Sequence, residues 1–127
     1  CLSFLLLTVE YLAGSDEICY TWINTEYSSG NPPQKLVFNY DGTFASYAKS
    51  ISNDAFRRGM FTITKKWRDS EGNIWYQIKM HDPQSVTRYK LAKISHDGKL
   101  LEFICKTDKY PLKMSSADAD YCKYNRE

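Results

Sequence analysis

The sequence predicts an all-β fold: an eight-stranded antiparallel up-and-down barrel preceded by a short N-terminal helix. Three observations predict it. Eight short runs are rich in aromatic and β-branched residues, turn signals such as Asp-Gly separate neighbours, and apolar and polar residues alternate within most runs. At 127 residues the chain fits a single domain able to bury a hydrophobic core.

Residues 1–18 stand apart from the rest of the chain. Leu2, Leu5, Leu6, Val9, Leu12 and Ala13 share one helical face, with Gly14 placed as a C-terminal cap. The same apolar stretch also fits the remnant of an export signal, and Cys1 fits a lipidated terminus. The barrel is expected over residues 19–127.

The first candidate strand, near 20–27, is Tyr20-Thr-Trp-Ile-Asn-Thr-Glu-Tyr27, broken by Ser28-Ser-Gly-Asn-Pro-Pro33. Runs near 34–41 and 43–49 flank Asp41-Gly42, a strong hairpin signal. Runs near 59–67 and 73–80 flank Asp69-Ser-Glu-Gly-Asn73, and runs near 87–95 and 99–106 flank Ser95-His-Asp-Gly98. The eighth run lies near 120–126. No helix-length segment interrupts them, so a meander that closes on itself is favoured over a β-sandwich.

Alternation then defines an expected inner face. Leu36, Phe38 and Tyr40 share a face, as do Phe61, Ile63 and Trp67. Ile74, Tyr76, Ile78 and Met80 oppose Gln77 and Lys79. Tyr89 and Leu91 oppose Arg88 and Lys90, and Leu101, Phe103 and Cys105 oppose Glu102 and Lys106. Eight strands enclose an interior that either fills with side chains or holds one small ligand. The expected ligand contacts are Phe38, Phe61, Ile63, Tyr76, Ile78, Tyr89, Leu91 and Phe103. Trp22 shares its face with Asn24 and Glu26, which act as ligand anchors or mark a strand end open to water.

Other chemistry finds little support. A net charge of +2 gives no electrostatic reason for a nucleic-acid partner, and no apolar run is long enough for a transmembrane helix. His81 and His96 stand beside Asp residues near turn signals, without the convergent partners a base or metal site needs. No catalytic constellation, metal motif or cofactor loop is expected. Lys65-Lys-Trp-Arg68 mixes basic and aromatic residues but reads as a strand end. The four cysteines, at 1, 19, 105 and 122, contain no CxxC and allow three pairings. Cys19–Cys122 and Cys105–Cys122 are candidate bridges, and four buried thiols are the alternative.

Several of these segments resemble the bacterial lipocalin-like proteins of the calycin group. They are Thr21–Tyr27, Lys35-Leu-Val-Phe-Asn-Tyr-Asp-Gly-Thr-Phe44, Lys66–Tyr76, Tyr89–Phe103 and Tyr124-Asn-Arg126. The resemblance implies that Trp22 plugs one end of the barrel and that Arg126 packs across its indole, a cation–π contact of about 0.5–2 kcal/mol. Tyr20 departs from the glycine that the family carries two residues before this tryptophan. The resemblance further implies an exported, non-enzymatic protein binding a small apolar molecule. The alternative is an exported structural or protein-interaction module with a filled barrel, in which 28–33 and 110–116 are contact loops.

Overall fold

The computed structural model describes residues 17–24, 33–49, 55, 57–83 and 86–127. The expected helix near the N-terminus lies outside the described residues, apart from the turn at Glu17–Ile18. The eight strands are β1 (Thr21–Ile23), β2 (Lys35–Phe38), β3 (Thr43–Tyr47), β4 (Arg57–Arg68), β5 (Ile74–His81), β6 (Thr87–Ile94), β7 (Leu100–Lys106) and β8 (Tyr121–Arg126). Each pairs antiparallel with its neighbours in sequence, and β1 pairs with β8, so the sheet is a closed barrel. Among the described residues, no helix is long and apolar enough to cross a membrane.

Three tight turns gather at one end, and one device builds them all. The carboxylates of Asp41, Asp69 and Asp97 accept the backbone N–H two residues on, from Thr43, Glu71 and Lys99. Gly42, Gly72 and Gly98 follow with φ of 86°, 85° and 77°, a conformation that side chains disfavour. Asp69 is the most heavily engaged of the three acids. It also accepts the Trp75 indole N–H at 2.8 Å and the Asn73 side-chain N–H at 3.1 Å. In an up-and-down barrel every second connection lies at the same end. The 39–42, 69–73 and 95–99 turns therefore share one end, and the β1–β2, β3–β4, β5–β6 and β7–β8 connections share the other, all but β5–β6 longer than these turns.

The tight-turn end is plugged. Ile18 and Trp22 are fully buried, and the Trp22 indole N–H donates to the Ile18 carbonyl at 3.0 Å. Glu17 ties the plug to β4 through Lys66 at 2.9 Å and Arg68 at 3.6 Å. Burial works against the Glu17 carboxylate, but the Lys66 hydrogen bond and the two cations outweigh it and hold its pKa below the ordinary value. Arg126 is the ladder partner of Trp22, yet the ring under its guanidinium is Tyr20, 4.6 Å away. Tyr20 thus supplies the aromatic face for this contact. Asn24 donates from its side chain to the Lys123 carbonyl at 3.1 Å, bracing β1 against β8. It is a strand-end fastener, and Glu26 lies outside the described residues.

Two strands depart from simple alternation. In β4 the register shifts between Ile63 and Lys65, a bulge that inserts Thr64. Phe61 and Ile63 face inward as expected, but the extra residue turns Trp67 outward. There it stacks on its ladder partner Trp75, with centroids 5.9 Å apart. In β6 the expected faces are exchanged. The ladder sets Arg88 opposite Met80, Lys90 opposite Ile78, Ala92 opposite Tyr76 and Ile94 opposite Ile74, so all four face the interior. Tyr89 and Leu91 lie on the outer face. Tyr110 packs edge-on against Tyr89 and hydrogen-bonds Thr64, laying the segment after β7 across that face. Leu91 is 3% exposed on this side, beside its fully buried ladder partner Ile104. Tyr40, expected inward, sits in the 39–42 turn and is 67% exposed.

Neither candidate disulfide forms, and Cys19, Cys105 and Cys122 are free thiols. Cys19 lies at the plugged end, its sulfur 3.9 Å from the Asn39 carbonyl oxygen. Cys122 pairs in the ladder with Phe103, not with Cys105.

Gly59 marks the tightest approach in the barrel. A Cβ there would collide with the His81 carbonyl oxygen and stand 2.8 Å from the Phe44 ring. Gly59→Ala is expected to cost about 1–3 kcal/mol, as overpacking does, read as a lower midpoint in chemical denaturation. The Asp69 carboxyl gives a second prediction. The Trp75 hydrogen bond, reinforced by Asn73 and Glu71 against some burial, lowers its pKa to about 2. A depressed carboxyl stabilises the fold above its unfolded value of about 3.9. That contribution is lost as pH falls from there through the folded value. The side-chain carbon resonance of Asp69 should titrate near pH 2, and Trp75→Phe should move its midpoint upward.

Candidate functional site

The barrel is filled at the plugged end and open at the other. Ile74, Tyr76, Ile78, Ile94, Leu101 and Trp22 pack as one apolar cluster with Phe38, Phe61 and Ile63. The Phe38 and Phe61 rings meet edge to face at 4.9 Å. Beyond them lies a cavity of about 650 Å³, within the roughly 300–1,000 Å³ range of small-molecule sites. Leu36, Phe44, Met80, Phe103 and Tyr124 supply its apolar wall, and the 116–120 segment crosses its mouth. That segment is held by two successive turns, in which Asp118 N–H donates to the Ser115 carbonyl and Tyr121 N–H to the Asp118 carbonyl.

Of the eight expected ligand contacts, only Phe103 lines this cavity. Phe38, Phe61, Ile63, Tyr76 and Ile78 face inward but belong to the packed core. Tyr89 and Leu91 face away from the interior altogether, because the β5–β6 ladder turns Arg88 and Lys90 inward in their place. Phe103 stacks on Tyr124 with centroids 5.3 Å apart and planes 14° from parallel, forming a flat aromatic wall. The Tyr124 hydroxyl donates to the Pro33 carbonyl at 2.8 Å, and burial pushes its pKa up.

The polar lining departs from the apolar interior that alternation predicts. Arg57, Arg88 and Lys90 all reach the cavity. Asp82, only 2% exposed, gathers the two arginines, with Arg88 at 3.1 Å and Arg57 at 3.6 Å. It also accepts the Val86 N–H, closing the β5–β6 turn. At the end of β7, Lys106, the outward-facing ladder partner of Tyr89, bridges Asp118 at 3.1 Å and Asp120 at 2.6 Å at the cavity mouth. The two rim networks are therefore internally paired.

Lys90 is different. It is 6% exposed and makes no hydrogen bond or ion pair among the described residues. Its Nζ stands 3.8 Å from the centroid of the Phe103 ring. Burial drives its amine pKa down, and nearby Arg88 adds to this. The thiols of Cys105 and Cys122 act in the opposite direction but do not reverse it. Cys105 is the ladder partner of Lys90, and both cysteines line the cavity. Burial raises the pKa of Cys122, which favours its neutral thiol. Among the described residues, no three His, Cys, Asp or Glu side chains come together as a metal site would require.

One sequence signal points to Lys90. Ala92 and Ile94 are in phase with it, whereas Leu91 is out of phase with both, so the β6 run carries apolar residues on two faces. Compared with known proteins, the chain matches no family model, no curated protein and no solved structure.

Asp82 supports the rim where β4, β5 and β6 meet. Asp82→Asn keeps the shape but removes the charge that holds Arg57 and Arg88. A loss of about 1.5–3 kcal/mol is expected, the range for hydrogen bonds to charged groups. Amide hydrogen exchange should show the change as faster exchange at Val86 and the start of β6.

Proposed function

We propose that this protein is a non-enzymatic carrier that holds one small, largely apolar molecule in the open half of its barrel. The observation that carries this reading is a built cavity in an otherwise packed interior, walled by Leu36, Phe44, Met80, Phe103 and Tyr124. Each 100 Å² of ligand surface buried there would contribute about 2.5 kcal/mol before the entropy of binding is subtracted. The flat Phe103–Tyr124 wall suits a ring or a conjugated chain. Ser46 and the partly buried thiols add a few polar contacts to fix its orientation. The closed eight-stranded meander supports the likeness to bacterial lipocalin-like proteins. The apolar opening stretch supports an exported location. The unfilled cavity weighs against the alternative of a filled barrel serving only as an interaction module.

The test is a titration with the neutral apolar dye N-phenyl-1-naphthylamine, alongside native mass spectrometry of the purified chain. Saturable one-to-one uptake is expected. Cys122→Trp, which fills the cavity from a half-buried position, should weaken uptake by about ten-fold or more, in line with the loss of roughly 1.4 kcal/mol or more of contact. Leu36→Phe provides the same test from the opposite wall. Uptake unchanged in both folded variants would place the dye elsewhere and overturn the reading.

A further inference from the structure

We propose that Lys90 is a covalent capture site, where its side-chain amine condenses with an apolar aldehyde seated in the cavity to form an imine. The inference rests on the cavity reading above and names the ligand class that the cavity would hold.

Three structural features converge on this residue. Lys90 is buried, and its Nζ lies against the Phe103 ring that lines the cavity. It lacks the carboxylate partner that lysines elsewhere in this barrel have found: Lys66 binds Glu17, and Lys106 binds Asp118 and Asp120. Arg57 and Arg88, the other cations of the cavity, are both held by Asp82. An unpaired ammonium in such a place is costly, whereas a neutral amine is not. A desolvated lysine of this kind is the usual nucleophile towards carbonyl compounds. The downward direction of its pKa agrees with the neutral form.

The chemistry balances without an oxidant or reductant. The amine nitrogen attacks the aldehyde carbon, and the carbonyl π pair moves to oxygen. The resulting carbinolamine loses its oxygen as water, which carries away the two hydrogens that began on the nitrogen. A carbon–nitrogen double bond remains, and its uncharged form suits an apolar site with no counter-ion.

The flat wall made by Phe103 and Tyr124 favours an aromatic aldehyde, and the two neighbouring thiols dictate the choice of probe. A conjugated alkene would add to Cys105 or Cys122, so the probe is 6-methoxy-2-naphthaldehyde, which has none. The intact protein is incubated with it and sodium cyanoborohydride near neutral pH, and the adduct is mapped by peptide mass spectrometry. Lys90 should be labelled about ten-fold or more ahead of exposed lysines such as Lys49, Lys79 and Lys99. Saturating the cavity first with N-phenyl-1-naphthylamine should slow the labelling of Lys90 and leave the exposed lysines unaffected. Lys90→Met, and Lys90→Gln should the first fold poorly, should lose the dominant adduct while the exposed lysines label as before. Dye uptake with labelling spread evenly over the exposed lysines would overturn the inference and leave the carrier reading standing. Failure of both dye and aldehyde to enter would overturn the two together.

Discussion

The ladder between β5 and β6 decides what the interior of this barrel contains. Ile78 opposite Lys90 and Met80 opposite Arg88 place two cationic side chains on the inner wall. A slip of one residue would instead put Tyr89 and Leu91 inside and the cations in water. The observed register is held from both sides of the sheet. Inside, Ala92 and Ile94 pack in the core; outside, Tyr89 meets the Tyr110 ring, and Leu91 and its ladder partner Ile104 are buried. Apolar residues on the outer face thus favour the register that keeps Lys90 in the interior.

The two ends of the barrel divide their tasks along the same lines. At the plugged end, short Asp-and-Gly turns, the Trp22 indole and the Glu17–Lys66 pair leave little freedom. Aromatic and branched side chains fill the interior there, and this packing supplies the hydrophobic stabilisation of the fold. At the other end, longer connections leave room above Phe38 and Phe61, and paired charges line the rim. A well-packed half can support a half that contains empty space and an unpaired amine. Active and binding sites commonly carry such local costs, which the rest of the fold offsets.

Much of this architecture is legible in the sequence. All eight strands and the three tight hairpins follow from β-rich runs separated by Asp-Gly or Asp-Ser-Glu-Gly. Trp22 as a plug follows from a family resemblance, although the ring that meets Arg126 is Tyr20. The inner face is legible wherever the outer face meets water, as along β5, where Ile74, Tyr76, Ile78 and Met80 alternate with less buried residues. It fails where that condition fails. Binary alternation assumes one polar, wet face, and in β6 the outer face carries the buried Leu91 and the half-buried Tyr89, so Arg88 and Lys90 read as solvent-facing. The Thr64 bulge hides the orientation of Trp67 for a related reason, because one inserted residue reverses every face after it. The position of the cavity is out of reach, since it depends on which inward side chains meet across the barrel rather than on any one strand.

Lys90 shows how these causes combine. Along its own strand it is a basic residue between Tyr89 and Leu91, and only the phase it shares with Ala92 and Ile94 marks it as inward. On the adjoining strand it meets Phe103 and lies opposite Cys105, with Cys122 on the strand after that lining the same space. None of these groups offers a full negative charge, and the carboxylates nearest the mouth, Asp118 and Asp120, are already bound to Lys106. A lysine contributing only to stability would be better replaced here by methionine, which fills similar volume without the desolvation cost. On the proposed reading, its place against Phe103 in the cavity serves the ligand rather than the fold. In the neutral form towards which burial pushes it, the amine would offer a ligand what a methionine does not, a nucleophile.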